Sequence, residues 1–419
     1  EKLKQEEIRQ EVPEMEKPEM ESEDMEQEPD FENMAETDTS VEVEGIASST
    51  SSPLTMSGVF GNRGAAGRKK AREEHGGNKY TERAVIKALR WLKKEQESNG
   101  SWDAGYGRRG AHPEAMTALS LLTFLAHGET TQSEEFGETV GKAVRWLTER
   151  MLDKGKISKR NQGYTNGIAT YALSEAYGLM KLPAIKPAME KGLKLIIEGQ
   201  QDEGGWDYGY NQGARWDLSV GGWQMQALKA GFVAGAEAEG LKKAIEKSIK
   251  WLKEVTYRNG KFNYAGQNRN PPSHHRLSMD GVGSLCLQLF GELDCEQVET
   301  ATKRISERVA IDWPNGPKWP MYTWYYCTQA MFHAGKRYFD DWNDEYAPMI
   351  VKLQNDEGSW NIHQIVSNHA GKVYATTLSA LSLQVYYRYL PTYEDPGKSR
   401  GPENVLEMEE EEGLGLDIN

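Results

Sequence analysis

Two aspartates stand where the neighbouring residue types could support proton transfer. Asp217 directly follows Arg215 and Trp216, and Asp280 comes shortly after the basic run at 274–276. A carboxyl group held neutral in an apolar pocket can donate a proton, and nearby aromatic faces can stabilise the cation that forms. A carboxylate at the start of a helix is also well explained as a cap. Both aspartates are therefore candidate catalytic acids, with helix capping as the alternative.

Most of the unusual side chains fall in a few loops. Aromatic, cationic and carboxylate groups that converge at one mouth of a helical protein indicate a binding site. The candidate cavity residues are Arg215, Trp216, Trp223, Tyr208, His274, His275, Tyr322, Trp324, Tyr325 and His363. The same loops also contain His112, Tyr164, Arg276, Trp319 and Tyr374. The alternative is that the rings only wall the protein and the histidines bond to loop backbone.

These loops recur because the chain repeats itself. The pattern Gln-x-x-x-Gly-(Ser/Gly)-Trp occurs three times, and weaker copies place further markers at 157, 262 and 313, so that six markers lie about fifty residues apart. The motif residues are Gln96, Gly100, Trp102, Gln200, Gly204, Trp206, Gln354, Gly358 and Trp360. We expect the Gly to permit a tight turn, the Gln to bond exposed backbone groups and the Trp to pack between neighbouring units.

Each of the six units is predicted to contain two helices of different character. The stretch before a marker is amphipathic, with Leu241, Ile245 and Ile249 on one face and lysines on the other. The stretch after a marker loop is apolar nearly all round, as in 220–233, so it must be covered on all sides. Six such hairpins bury their flanks fully when the last meets the first. We therefore expect an all-α fold, an α/α toroid of six inner and six outer helices; an open solenoid would need polar capping repeats that the sequence lacks.

The repeated markers resemble those of the squalene–hopene cyclases, notably their C-terminal part, and of the β subunits of protein prenyltransferases. The resemblance extends from Asn78 to about Tyr393 and implies the toroid fold of the terpenoid cyclases. For function it implies an aromatic-lined cavity for an isoprenoid or other apolar ligand, in a divergent terpene cyclase of isomerase or lyase type. The same fold also carries prenyl transfer and glycan cleavage, so the fold alone does not decide the activity.

The residues that would identify these enzymes are missing. Squalene-type cyclases use an Asp-x-Asp-Asp acid, which does not occur in the repeat region. Prenyltransferases bind zinc through Asp-x-Cys and a later His, whereas Val282 stands here in the place of the cysteine after Asp280. The run 340–344 has the spacing of a magnesium motif, but its place in the repeat favours an N-cap at Asp340 or Asp341. We therefore predict no metal and no cofactor.

Three functions stay open at this point. The first is a cavity for an apolar ligand, with Asp217 or Asp280 as a candidate acid. The second is a non-catalytic scaffold for protein interactions, and the third is a glycan-active toroid in which two carboxylates act on a sugar stacked on aromatic rings. A cavity lined by carbon atoms would favour the first function, a filled ring the second and a cleft with paired carboxylates the third.

The ends of the chain differ from the repeat region in charge. The formal net charge of the 419 residues is −14, and residues 1–50 alone contain 18 acidic and 4 basic side chains. The predicted divisions are a disordered acidic segment 1–56, a Gly-rich basic linker 57–77, the toroid 78–393 and a disordered acidic tail 394–419. The mildly basic middle argues against a nucleic-acid binder.

The sequence contains no run of about 18 apolar residues, so no membrane span is predicted within it. It starts at Glu1 and not at Met, which leaves room for a signal or anchor segment upstream, so the compartment stays open. The expected partners are an isoprenoid or other apolar small molecule and, through the acidic termini, a protein.

Overall fold

The chain is mainly helical in the computed structural model, which describes residues 63–103, 112–153, 157, 162–213, 215–267, 276–362 and 371–388. The helices are α1 Ala65–His75, α2 Lys79–Glu95, α3 Pro113–Ala126, α4 Gly137–Asp153, α5 Gln162–Met180, α6 Lys186–Glu198, α7 Leu218–Val233, α8 Leu241–Trp251, α9 Leu277–Leu289, α10 Glu296–Arg308, α11 Pro320–His333, α12 Lys336–Lys352, α13 Lys372–Leu383 and α14 Val385–Arg388. A π-helical turn, Leu252–Thr256, continues α8. The predicted acidic segments 1–56 and 394–419 lie outside the described residues.

Four short strands form two antiparallel pairs. β1 Arg215–Asp217 pairs with β4 Ala265–Gln267, and Trp216 lies opposite Gly266. β2 Tyr257–Arg258 pairs with β3 Lys261–Phe262. Because both pairs belong to connections between helices, the predicted all-α class is confirmed.

The helices alternate between two environments. The even-numbered helices α2 to α12 are amphipathic: in α8, Leu241, Ile245 and Ile249 are buried and Lys242 is exposed. The odd-numbered helices α3 to α13 are buried on nearly every side, and in α3 every residue from 114 to 126 is buried. An apolar stripe directs the first set against the second, which has no polar face. The first set forms the outer layer and the second the inner layer.

The inner helices form a closed ring. Each packs against the next in chain order, and α13 packs against α3. The outer layer closes at the same joint, because Nε2 of Gln354 donates to the carbonyl of Ala84 in α2 at 2.8 Å. The predicted α/α toroid of six hairpins is confirmed. All six inner helices follow marker loops, so they begin at the same end of the ring, which we call the marker rim; the other end is the opposite rim.

Each complete marker ties its own hairpin to the next. Nε2 of Gln200 donates to the carbonyls of Gly204 and of Ala244 in α8, at 3.0 and 2.9 Å. Gly204 has φ +100°, and a Cβ there would lie 2.3 Å from the carbonyl oxygen of Lys247. The indole N–H of Trp206 donates to a carbonyl at the end of the preceding outer helix. The same bonds recur at Gln96 and Gln354.

The N-terminal boundary of the folded region differs from the predicted one. The linker predicted over 57–77 contains α1, which packs against α14 at the opposite rim. Arg63 and Arg68 are buried there: Nη1 of Arg63 lies 2.6 Å from Oε2 of Glu175, and Nη1 of Arg68 donates to the carbonyl of His127 at 2.7 Å. Glycine and basic residues indicated a solvated linker, but these partners lie far away in the sequence.

The predicted N-cap at Asp340 or Asp341 is wrong. α12 begins at Lys336 after Gly335, whose φ of 98° turns the chain directly out of α11. The two aspartates therefore lie inside the helix, and Asp341 is exposed.

Three observations on the described residues concern membranes, metal ligands and cysteines. Among the described helices, none is long and apolar enough to cross a membrane. Within the same residues no group of three or more His, Cys, Asp or Glu side chains could hold a metal ion. Cys286, Cys295 and Cys327 are free, and the first and last are buried.

Candidate functional site

A cavity of about 310 Å³ lies among the inner helices at the marker rim. Every inner helix contributes at least one residue to its wall, so the cavity belongs to the lumen of the ring. The lining residues are His112, Ala115, Met116, Leu119, Tyr164, Thr165, Ile168, Tyr208, Ser219, Trp223, Tyr264, Arg276, Ser278, Met279, Trp319, Tyr322 and Tyr374.

The start of each inner helix positions most of this wall. Ala115 and Leu119 line the cavity from α3, and Tyr164 and Ile168 from α5, at the four-residue spacing that puts side chains on one helix face. Residues in the first two turns therefore form most of the wall.

Large side chains fill the lumen between the cavity and the opposite rim. Tyr325 stacks on Trp223 with 5.6 Å between ring centroids. From the end of the described chain, Nη2 of Arg388 donates to the hydroxyl of Tyr171 at 2.6 Å. All four side chains are buried, so side chains occupy the described part of the lumen below the cavity.

Hydroxyl groups form a hydrogen-bonded cluster on one side of the cavity. The hydroxyl of Tyr164 donates to Oγ of Ser219 at 2.6 Å, and this Ser219 hydroxyl donates to Oδ1 of Asp217 at 2.5 Å. The hydroxyls of Tyr208 and Tyr264 lie 2.9 Å apart. Apart from Asp217, these residues line the cavity, so its wall has one polar side.

Asp217 is the N-cap of α7 and is buried behind this cluster. Its Oδ1 accepts hydrogen bonds from the N–H groups of Ser219 and Val220, and its Oδ2 lies 2.6 Å from Nη2 of Arg215. Burial raises the pKa of Asp217, while bonds from Ser219 and Tyr264 and the charge of Arg215 oppose the rise. Its geometry is that of a helix cap, and Ser219 links its carboxyl group to the cavity.

Asp280 lies in the first turn of α9 and points away from the cavity. Its Oδ2 lies 3.1 Å from Nε of Arg304 in α10, and its Oδ1 accepts from the N–H of Phe262 at 3.2 Å. The carboxylate therefore joins an inner helix to the neighbouring outer helix and to β3.

Asp280→Ala is expected to lower the free energy of unfolding by about 1–3 kcal/mol, because Arg304 and the N–H of Phe262 lose a buried acceptor. Urea unfolding would measure the loss, and Glu307→Ala, which removes an exposed carboxylate of α10, is the matched control. A stable Asp280→Ala variant that had lost ligand binding would contradict this assignment.

Comparison with known proteins shows which proteins have a similar sequence or fold. Residues 71–216, about a third of the chain, match the squalene–hopene cyclase C-terminal domain. No curated protein sequence is significantly similar to the chain. Among solved structures, the type II terpene cyclase MstE from Scytonema, a variant in complex with its substrate geranylgeranyl dihydroxybenzoate, aligns with a TM-score of 0.51 and 14% identity over 74% of this chain and 97% of that one.

The toroid is squalene-cyclase-like. The resemblance predicted from the markers is confirmed. Two glycan-active enzymes share the same fold. An unsaturated glucuronyl hydrolase specific for heparin aligns with a TM-score of 0.57 and 12% identity over 74% of this chain and 97% of that one. The α-1,6-mannanase GH76A from Salegentibacter sp. aligns with a TM-score of 0.53 and 11% identity over 74% and 98%. Identities this low establish the fold and leave the activity open.

The squalene-cyclase-like toroid brings part of the predicted site together. Tyr208, Trp223 and Tyr322 line the cavity. The predicted loops also supply His112, Tyr164, Arg276, Trp319 and Tyr374 to the wall. His274, His275 and His363 lie outside the described residues.

The other described candidates do not line this cavity. Trp216 packs edge-on against Trp251 at 5.7 Å between ring centroids. The indole of Trp324 donates to a backbone carbonyl before α11, and Tyr325 lies beneath the cavity. The side chain of Arg215 is half-exposed and forms an ion pair with Asp217. Helix phase separates Trp324 from Tyr322, because positions two apart on a helix point in different directions. Tyr325 lies one turn farther along the same helix, and Arg215 and Trp216 belong to β1.

Sequence reasoning missed Ser219, Tyr264 and the apolar side chains of the wall. The apolar set, Met116, Leu119, Ile168 and Met279 among them, could not be told from ordinary core residues. A signal was present in the repeat itself, because each inner helix begins at the marker rim and one face of its first two turns must face the lumen.

Proposed function

We propose that the toroid binds an isoprenoid or other apolar small molecule in the cavity at the marker rim. The observation that carries the proposal is the chemistry of the wall. Leu119, Ile168, Trp223 and Met279 present carbon to the cavity, and no Asp or Glu is among its described lining residues. Burial of apolar surface against such a wall stabilises a complex by roughly 25 cal/mol per Å² before the costs of association.

The volume of the cavity favours a ligand shorter than squalene. About 310 Å³ lies at the lower end of the ~300–1,000 Å³ that small-molecule sites occupy. We therefore expect a farnesol-sized molecule to fit better than squalene. The same fold in MstE holds a substrate with an isoprenoid chain, geranylgeranyl dihydroxybenzoate.

Hydrolytic and cyclising functions have less support in this cavity. A glycoside hydrolase uses two carboxyl groups about 5–10 Å apart beside the sugar. Asp280 is engaged by Arg304 behind the wall, and Asp217 caps a helix with Arg215 against its second oxygen. The proposal is accordingly one of binding, with Asp217 as a helix cap.

Titration of the purified protein with farnesol, squalene and α-1,6-mannotriose tests the proposal. Trp223 and Trp319 line the cavity, so their fluorescence should change on binding. We expect farnesol to bind more tightly than squalene, mannotriose not to bind, and chromatography to return farnesol unaltered. Ala115→Phe should weaken farnesol binding by at least about tenfold, because the new ring occupies the cavity.

The matched control is Ala236→Phe, which places the same ring near α8 at the opposite rim and should leave farnesol binding unchanged. Equal loss in both variants, or binding of mannotriose in place of farnesol, would overturn the proposal. Conversion of farnesol to a cyclic product that is lost in Asp217→Asn would show that this aspartate is an acid and not only a cap.

A further inference from the structure

The described lining of the cavity contains basic side chains and no acidic ones. Arg276 is among the lining residues, and the guanidinium lies over the ring of Tyr264 at 4.1 Å from its centroid. Within the described residues no carboxylate forms an ion pair with Arg276, whereas the nearby Arg215 is paired with Asp217. His112 is a second basic side chain in the wall. The cavity therefore presents a cation whose charge is not balanced by the described protein groups around it.

The two basic side chains of the wall lie at the level of the rim. His112, Arg276 and Trp319 occupy the N-cap positions of α3, α9 and α11, which is the level of the rim. Leu119 and Trp223 lie in the second turn of their helices, farther into the lumen. A ligand that matches this arrangement has an apolar body and a charged end.

Backbone groups at the same level also favour negative charge. The first N–H groups of a helix have no partner within the helix, and its N-terminal end carries a partial positive charge. α7 is capped by Asp217, whereas the N-cap residues described for α3, α9, α11 and α13 form no side-chain cap. The positive ends of these four helices thus lie at the level of Arg276.

We propose that the ligand is an amphiphilic organic anion, whose carboxylate or phosphate head group binds Arg276 and whose apolar body fills the cavity. This inference rests on the proposed function and narrows its substrate class. Arg276 forms a charge-assisted hydrogen bond with the head group, and the hydroxyl of Ser278, which also lines the cavity, is available to donate another. The ring of Tyr264 holds the guanidinium in place before binding.

The test uses three probes with the same chain: farnesol, farnesoic acid and farnesyl monophosphate. Titration of the full-length protein in low salt should show that the two anions bind at least about tenfold more tightly than farnesol, as expected for one charge-assisted bond. In Arg276→Gln this preference should vanish, so that the two anions bind no more tightly than farnesol does in the same variant. Added salt should weaken binding of the anions and not of farnesol.

Arg337→Gln is the matched control, because Arg337 also lies over a tyrosine ring but belongs to α12, away from the cavity. It should keep the preference for the anions. Arg276→Lys should keep part of it, which guards against a folding defect in the glutamine variant.

Equal affinity of the wild-type protein for farnesol and both anions would overturn this inference and leave the proposed function intact. The same holds if Arg276→Gln weakens all three probes alike. Failure of all three probes to bind the wild-type protein would overturn the proposed function itself and this inference with it. A preference for one anion over the other identifies the head group as carboxylate or phosphate.

Discussion

Trp360→Ala is expected to lower the free energy of unfolding by about 3–5 kcal/mol, the cost of removing a fully buried aromatic ring. The indole N–H of Trp360 donates to the carbonyl of Ile350 at 2.7 Å, and its backbone N–H donates to Oγ1 of Thr376 at 3.0 Å. The ring lies at the joint where Gln354 bonds to Ala84 and the last hairpin meets the first. Loss of the ring therefore weakens closure as well as local packing.

Urea unfolding followed by circular dichroism measures this loss. Trp360→Phe should keep most of the packing. Its free energy of unfolding should fall by about 1 kcal/mol, because the indole N–H donor is lost. Trp102→Ala should cost as much as Trp360→Ala, because in a closed ring each joint is equivalent. The control is Trp146→Ala on outer helix α4, where the side chain is only partly buried and the cost should be smaller. A Trp360→Ala variant as stable as the wild type would contradict the structural role of the marker.

The ring could be predicted from the sequence because the residues that specify it lie close together and recur in each repeat. Gln200 bonds to Gly204 four positions away and to Ala244 in the next hairpin, and Trp206 bonds to Ile196 ten positions back. Helices without a polar face, such as α3, require burial on all sides, and a ring of such helices satisfies this.

Helix α1 could not be predicted in the same way. Arg63 bonds to Glu175 and to the carbonyl of Arg388, residues more than a hundred positions away. Composition describes a segment by its own residues, so it cannot reveal that distant carboxylates and carbonyls will bury its charges.

The sequence predicted at which end of the ring the site lies, but it did not predict which individual residues line it. Asp217 and Asp280 have similar surroundings in the sequence, yet the first is an N-cap and the second lies inside the first turn, facing α10. A shift of a few residues in a helix start changes the direction of a side chain by a large angle. Sequence patterns do not locate helix starts that closely, so the two aspartates could not be told apart.

The second prediction with a large expected effect concerns the buried ion pairs that hold α1 against the ring. Glu82 in α2 is buried, with Oε1 3.2 Å from Nε2 of His127 and 3.4 Å from Nε of Arg68, and Oε2 3.4 Å from Nη1 of Arg72. Nδ1 of His127 is held in turn by Glu129 at 2.7 Å. Glu82→Ala should lower the free energy of unfolding by about 3–5 kcal/mol, because buried cations lose their counter-charge. Glu73→Ala, an exposed glutamate of α1, should change it by less than about 0.5 kcal/mol.

The pH dependence separates the charge of Glu82 from its packing. Burial alone would raise the pKa of Glu82, but the hydrogen bond and charge of His127 and the charges of Arg68 and Arg72 outweigh it and lower the pKa to about 2. In the unfolded chain the group titrates near 4.5. The stability it contributes is therefore complete above about pH 4.5 and is lost as the pH falls towards 2.

Urea unfolding of Glu82→Gln across this interval should reveal the difference, because glutamine keeps the shape and cannot titrate. The wild type should lose stability relative to Glu82→Gln as the pH falls below about 4.5, so that the two curves converge near pH 2. Parallel curves would mean that the charge of Glu82 does not hold α1 in place. The anchorage would then lie with Arg63 and its ion pair to Glu175, and Arg63→Gln would be the variant that releases the helix.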